Sequence, residues 1–390
     1  MVQLLLGVDV IRKQNFTPVN GRRIGLLVNP ASADSKLNST VDIFLNARGV
    51  KVNVLFGPQH GIRGETQDNM VEWEGFRDKK TGLPVYSLYG KARKPMRKMM
   101  EGIDCLVVDL PDVGARYYTF VWTLALCLRA CKQFGKACVV LDRPNPINGV
   151  AMEGPVLDPR FASFVGLYPL PIRHGMTMGE IALYLNREFN IGCDLTVVTL
   201  EGWQRHMWFD DTSLPWVMPS PNMPTLDTAI VYPGMCLLEG TNISEGRGTT
   251  RPFEIFGQPG VDPDDVAKRL TKENLPGVMF RPLYFQPTFQ KHQGKLCGGA
   301  QIHVIDRDTF LPVLTGVAII RAIYHLYPES FSWKQPPYEY EGKKLPIDIL
   351  AGTDELRSQI ERGCSLANIA QSWQKKLDLF REARKPYLLY

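Results

Sequence analysis

No two cysteines in this 390-residue chain are spaced C-x-x-C, which argues against a zinc ribbon or a dithiol redox motif. There is no G-x-G-x-x-G and no Walker P-loop, so the usual dinucleotide and ATP cradles are missing. A G-x-S-x-G nucleophile elbow is absent too. The six histidines are scattered at 60, 174, 206, 292, 303 and 325, without an H-E-x-x-H. A metal site from His60, His174 and an Asp stays open, but nothing demands one, and no cofactor is expected. No apolar run approaches the 18 residues of a membrane span. Net charge is only +5, and no block of Lys and Arg interleaved with aromatics stands out, so neither nucleic acid nor membrane is expected as a partner. The start, MVQLLLGVDVIRKQ, has no basic segment before its short apolar run, so no leader is read. Cys105 and Cys138 lie inside apolar runs, as reduced thiols do, and a cytoplasmic location is expected.

What is present is a soluble-enzyme composition, 44% hydrophobic and 22% charged, long enough for two domains. Arg23 to Asn29, Val52 to Phe56, Cys105 to Leu110 and Ala137 to Leu141 are continuous apolar runs. Helical patterns separate them, at Ser39 to Arg48 and through Tyr118, Val121, Trp122, Ala125 and Leu128. Continuous strands alternating with helices predict a mostly parallel, doubly wound α/β sheet. Further on, a helix is expected at Met178 to Phe189 and a strand at Leu195 to Leu200. After Arg251-Pro252-Phe253 the pattern changes, with helices at Asp264 to Leu270 and Thr315 to Tyr327 and a strand at Ala300 to Ile305. Ser365 is read as the N-cap of a last helix through Leu366, Ile369, Trp373, Leu377 and Phe380. The division expected is a Rossmann-like domain over 1–255 and a smaller α+β domain over 256–390.

In such a sheet ligands bind outside the carboxyl ends of the strands. Three polar, Gly- and Pro-rich segments follow strand ends here: Gly57 to Glu65, Asp109 to Tyr118, and Asp142 to Glu153. The first presents His60, Arg63 and Glu65; a glycosidase needs such a carboxylic acid to protonate its leaving oxygen. In the second, Asp109 ends a buried strand and needs a partner; Arg116 is a candidate for that partner or for a ligand carboxylate. The third offers Arg143, Asn145 and Asn148, suited to sugar hydroxyls and carboxylates. A later run, Leu238 to Phe253, packs Glu239, Glu245, Arg247 and Arg251 among glycines. The polar stretch Gly64 to Gly82 is expected to be a flap.

Taken in order, GPQHGIRG, DLPDVGARYYTF, LDRPNPING with EGPVLD, PIRHGMTMGE, PSPNMPTLDTAIVYPG and LEGTNISEGRGTTRPFE closely resemble the NamZ-type exo-β-N-acetylmuramidases. That is glycoside hydrolase family 171, long catalogued as a domain of unknown function. The resemblance runs on through PTFQKHQGKLCGGAQIHV and GTDELRSQIERG, from Gly7 to Glu361. It implies a Rossmann-like catalytic domain, an auxiliary C-terminal domain, and release of one N-acetylmuramic acid from the non-reducing end of peptidoglycan fragments. By motif match it makes Glu65 the leading acid, with His60 and Glu245 as further catalytic candidates. Arg63, Asp112, Arg116, Tyr118, Arg143, Asn145, His174, Asn222, Arg247 and Arg251 are the substrate-binding candidates. The sugar's 2-acetamido group allows substrate-assisted catalysis, so a second carboxylate and the acetamide both stand as the partner of Glu65. A muropeptide-binding sensor without turnover, and a lactyl-ether or amide hydrolase, remain as alternatives.

Overall fold

The computed structural model describes residues 4–64, 66–67 and 70–390. Twelve strands form three sheets among these residues. The main sheet contains β1 (Arg23–Val28), β2 (Lys51–Gly57), β3 (Phe76–Arg77), β4 (Pro84–Ser87), β5 (Cys105–Asp109), β6 (Ala137–Leu141) and β9 (Leu195–Val198). A two-stranded ribbon joins β7 (Glu153–Val156) to β8 (Pro171–Arg173). The third sheet is antiparallel, from β10 (Ile255–Gln258), β11 (Val278–Phe285) and β12 (Cys297–Val304).

The main sheet runs β3-β4-β2-β1-β5-β6-β9, parallel except for the short edge strand β3. Its continuous apolar runs follow from burial on both faces. Alternate residues of each strand enter different cores: Leu106 and Val108 join one apolar cluster, while Cys105 and Val107 join the other. The helix Phe120–Phe134 covers the first face, with Trp122 fully buried. The chain builds β1, then β2 and β4 on one side, and crosses to β5 on the other. The carboxyl ends of β2, β1 and β5 therefore flank the point where strand order reverses, which is where an open α/β sheet has its crevice.

Most expected elements stand within a residue or two, and the boundaries shift where caps decide them. The last helix is Leu366–Arg384, and the Ser365 hydroxyl accepts the Asn368 amide at 3.2 Å as its N-cap. The helix expected from Thr315 begins earlier, at Pro312, because proline suits a first helical turn. The flap expected over 64–82 is in part something else. Phe76–Arg77 pairs with β4, and the Asp78 carboxylate accepts from Thr81 and Arg63, tying this stretch to the sheet edge. Glu65 and Asp68 lie outside the described residues.

The helix Leu226–Met235 lies directly on the helix Pro312–Leu326. Their backbones cross at Gly234 and Gly316: a Cβ on Gly234 would fall onto the Pro312 carbonyl, and one on Gly316 onto the Gly234 carbonyl. Replacing Gly234 with alanine is expected to destabilise the protein by about 3 kcal/mol, since backbone cannot move aside as a side chain can. Urea unfolding reads this directly; an unchanged midpoint would mean that the crossing is looser than these contacts require.

Candidate active site

Past the end of β2 the chain turns through Gly57-Pro58-Gln59-His60-Gly61. His60 sits in the left-handed region at φ 66°, a costly conformation for a non-glycine residue and one that clusters at functional sites. Its Nδ1 lies 2.7 Å from the Thr66 carbonyl, which can only accept, so Nδ1 carries the proton. Past β5, Thr119 donates to Gln59 Oε1 at 2.7 Å, joining the two strand-end loops. Tyr118, beside it, lies against Ser220, and burial raises its phenol well above the ordinary value. Asn222 donates to the Gln67 carbonyl at 2.9 Å.

These groups line one side of a narrow cavity with about 40 Å³ of free space. The opposite wall comes from later in the chain: Tyr232, Cys236, Glu239, Arg247, Phe253, Tyr338 and Glu339. A buried charge network underlies that wall. Arg247 reaches Glu239 Oε1 at 2.7 Å and Glu245 Oε1 at 2.8 Å. Lys291 reaches Glu245 Oε2 at 2.9 Å and also donates to the Leu238 and Ile243 carbonyls. Tyr338 donates to Glu239 Oε2 at 2.8 Å. The turn carrying Glu245 and Arg247 requires Gly246, at φ 81°, because a Cβ there would meet the Ile255 carbonyl at 2.7 Å.

The carboxyl groups here are pushed in opposite directions. Burial alone would raise Glu245, but Lys291 and Arg247 outweigh it and hold it at about 2. Burial raises Glu339 to about 7, opposed by the Tyr89 hydroxyl that donates to it at 2.9 Å and reinforced by the charge of Glu239. Glu339 and Tyr340 are both left-handed, at φ 43° and 68°. Paired carboxyls with separated protonation are the usual arrangement where one group must give a proton near neutral pH.

A second cavity, with about 50 Å³ of free space, opens beside the first, near the ends of β1, β5 and β6. Prolines 111, 144, 146, 215 and 219, with Phe209 and Trp216, make most of its wall. Its buried charges form separate pairs, Arg143 with Asp109 and His174 with Asp112, rather than one network, and its walls come from residues 6–219 alone. The first cavity is therefore the better candidate for chemistry.

The residues singled out in the sequence divide between these places. His60, Tyr118, Asn222 and Arg247 line the first cavity; Asp112 and Arg143 line the second. Glu245 lies beneath Arg247, committed to two cations. One pairing is corrected. Asp109 takes Arg143, not Arg116, with two guanidinium bonds of 2.5 and 2.9 Å. Arg116 is fully buried and spends its fork on the carbonyls of Pro155, Leu170 and Leu350, leaving no exposure for a ligand. His174 is buried, 3.1 Å from the Asp112 carboxylate. Asn145 bridges the Ile147 amide and the Met176 carbonyl. Arg63 pairs with Asp78 over the Phe76 ring, and Arg251 pairs with Glu254. Among the described residues no group of three or more His, Cys, Asp or Glu could hold a metal ion.

The family described as exo-beta-N-acetylmuramidase NamZ, N-terminal, matches residues 24–227, and its C-terminal counterpart matches 230–390. The chain belongs to the NamZ family. It is 48% identical over 384 residues to the peptidoglycan beta-N-acetylmuramidase NamZ of Bacillus subtilis (strain 168), covering 98% of this chain and 91% of that one. Two crystal structures of DUF1343-family proteins from Bacteroides fragilis share the fold. One has a TM-score of 0.90 at 34% identity, covering all of both chains. The other has a TM-score of 0.78 at 30% identity, covering all of this chain and 99% of that one.

Sequence patterns miss Tyr338 and Glu339 of the wall, while Gln59, Thr119 and Tyr232 lie in runs that stand out but are not picked out within them. Glu239 and Ser220 lie in runs that do stand out, without being conspicuous within them. The signal for Tyr338 and Glu339 is the Pro-Pro-Tyr-Glu-Tyr-Glu stretch, a rigid turn carrying aromatics and acids far from any strand end of the main sheet.

Removing one partner of this network leaves a buried charge uncompensated, so Arg247→Ala is expected to cost about 3–5 kcal/mol of stability. Glu245 also sets an acid limit. Its folded pKa is depressed to about 2, so its stabilisation is complete above its ordinary range near 4.5 and is lost as pH falls towards 2. The loss is on the order of 3 kcal/mol at about 1.4 kcal/mol per unit. Unfolding midpoints followed from pH 5 down should fall more steeply in wild type than in Glu245→Gln; parallel curves would remove Glu245 from this role.

Proposed function

We propose that this chain is an exo-acting glycoside hydrolase that releases N-acetylmuramic acid from the non-reducing end of peptidoglycan fragments. The observation that carries this reading is the end-to-end likeness to the peptidoglycan muramidase, 48% identical over 98% of the chain. The chemistry of the cavity supports it. Amide, hydroxyl and guanidinium groups are available to a sugar, together with carboxyl groups of separated protonation. The eight cysteines are all unpaired, which supports work in a reducing compartment on fragments taken up for recycling.

In the proposed mechanism Glu65, the acid assigned by motif, gives its proton to the glycosidic oxygen. The bond from the anomeric carbon to that oxygen breaks, and the leaving sugar departs with a free hydroxyl. Water then supplies the hydroxyl of the released N-acetylmuramic acid, and its remaining proton restores the acid. The sugar's acetamide, or a carboxylate of the cavity, supports the anomeric carbon from the other face. Glu339, raised to about 7, is about half protonated near neutrality, and that form donates a hydrogen bond to the bound sugar.

The test is turnover of the disaccharide with muramic acid at its non-reducing end, read by mass spectrometry. Wild type should release free N-acetylmuramic acid, and Glu65→Gln should lose roughly 10²–10⁴-fold in rate. A Glu65→Gln protein with full turnover would rule Glu65 out as the acid. Glu339 adds a pH signature. Its folded pKa is raised to about 7, so the donating form is present below that pH and lost as pH rises through it. Wild-type kcat/KM should fall with pH through about 7, and Glu339→Gln should flatten that limb; an unaltered profile would deny Glu339 a share in the reaction.

A further inference from the structure

Beside this cavity lies an open groove with about 530 Å³ of free space. Glu339 lines both, and the consecutive residues Phe164 and Val165 line one each, so the two share a wall. Lys91, Arg93 and Lys94 line the groove, on a stretch, Lys91 to Lys98, that carries five cations and no acid. Through Lys91, Ala92 and Met96 the groove continues into a second open trough beside Trp73, Phe76 and Tyr86.

The basic side of the groove is built onto the same unit as the acid of the cavity. The Arg93 guanidinium stacks 3.8 Å from the centre of the Tyr340 ring. Tyr340 packs edge-on against Tyr89, at 5.9 Å, and Phe164, at 6.2 Å. Tyr89 is the residue whose hydroxyl holds Glu339. A stacked guanidinium has already lost much of its freedom, so it grips a carboxylate at lower entropic cost than a free lysine does. Among the carboxylates nearby, Glu74 pairs with Lys91 at 3.6 Å, an exposed contact that solvent screens, which leaves Arg93 and Lys94 as the groove's stronger cations. Glu341 is turned to Lys344 and the Lys343 amide, Glu72 contacts the Tyr340 hydroxyl, and burial raises Glu339 to about 7, so part of its charge is lost near neutrality.

An enzyme that removes one terminal sugar must accommodate the rest of the strand outside the cavity. Where its peptides have been removed, that remainder is a chain of amino sugars with a free lactyl carboxylate on every second residue, an evenly spaced polyanion. We propose that the Lys91–Arg93–Lys94 groove is the subsite for this leaving strand, with Arg93 forking onto a lactyl carboxylate; the assignment rests on the muramidase reading above. The groove then sets preference for strand length without touching the bond that breaks.

The test compares the peptide-free disaccharide with the tetrasaccharide of the same repeat, in wild type and in a double variant, Arg93→Gln with Lys94→Gln. Wild type should favour the tetrasaccharide in kcat/KM by roughly three- to tenfold, the effect of one exposed charge-assisted contact. The double variant should bring that ratio to about one while leaving disaccharide turnover unchanged, and about 0.5 M salt should do the same to wild type. A length preference that survives in the variant overturns the subsite. Equilibrium binding of the two oligosaccharides is measured in parallel, so the groove is tested even if no bond is cut. Absence of turnover by wild type counts against the muramidase reading; equal tetrasaccharide binding by wild type and variant counts against the groove.

Discussion

Arg247 is buried between two carboxylates, and most of what distinguishes the cavity follows from that. A guanidinium without water must be neutralised, and Glu239 and Glu245 do so at 2.7 and 2.8 Å. Two carboxylates on one cation leave an excess of negative charge, and Lys291 balances it at 2.9 Å from Glu245. Lys291 in turn holds the Leu238 and Ile243 carbonyls, which fixes the turn around Glu239. The second oxygen of Glu239 then takes the Tyr338 hydroxyl, and the next residue is Glu339. One buried cation thus sets the position of its own turn and of a loop nearly a hundred residues away.

Such a network gives little net stability, because desolvation offsets most of the attraction. What it gives is fixed geometry. Apolar residues of similar volume would fill the space as well but would not hold two carboxyl groups against the cavity. The left-handed backbones at His60, Phe253 and Glu339 point the same way, since each is a strained conformation on the cavity wall.

The fold was legible in the sequence because its signals are local. Cys105 to Leu110 could only be a strand buried on both faces, and its alternate residues do divide between two cores. The site was legible up to the point where partners come from distant segments. That Asp109 needs a cation follows from its place at the end of a buried strand. Which cation it takes depends on how the loop after β6 lies over the sheet, and Arg143, 34 residues away, reaches it where Arg116, much nearer in the chain, does not. Arg116 is directed instead to three main-chain carbonyls, a demand that no pattern of side chains announces. Tyr338 and Glu339 were hidden for the same reason: they enter the cavity from a loop that belongs to neither the main sheet nor its strand ends.

Glu245 and Glu339 are the same side chain, both buried and both near Arg247, yet one is held at about 2 and the other at about 7. The difference lies in what faces each carboxylate. Glu245 has a cation on each oxygen, whereas Glu339 has a neutral phenol and a neighbouring negative charge. A cavity that keeps one acid always ionised and another poised to hold its proton can anchor its own wall with the first and address a substrate with the second. Exchanging the two environments would leave the composition unchanged and remove the division of labour. Of these two buried acids around the cavity, Glu339 is thus the one that the surrounding charges push towards its neutral form.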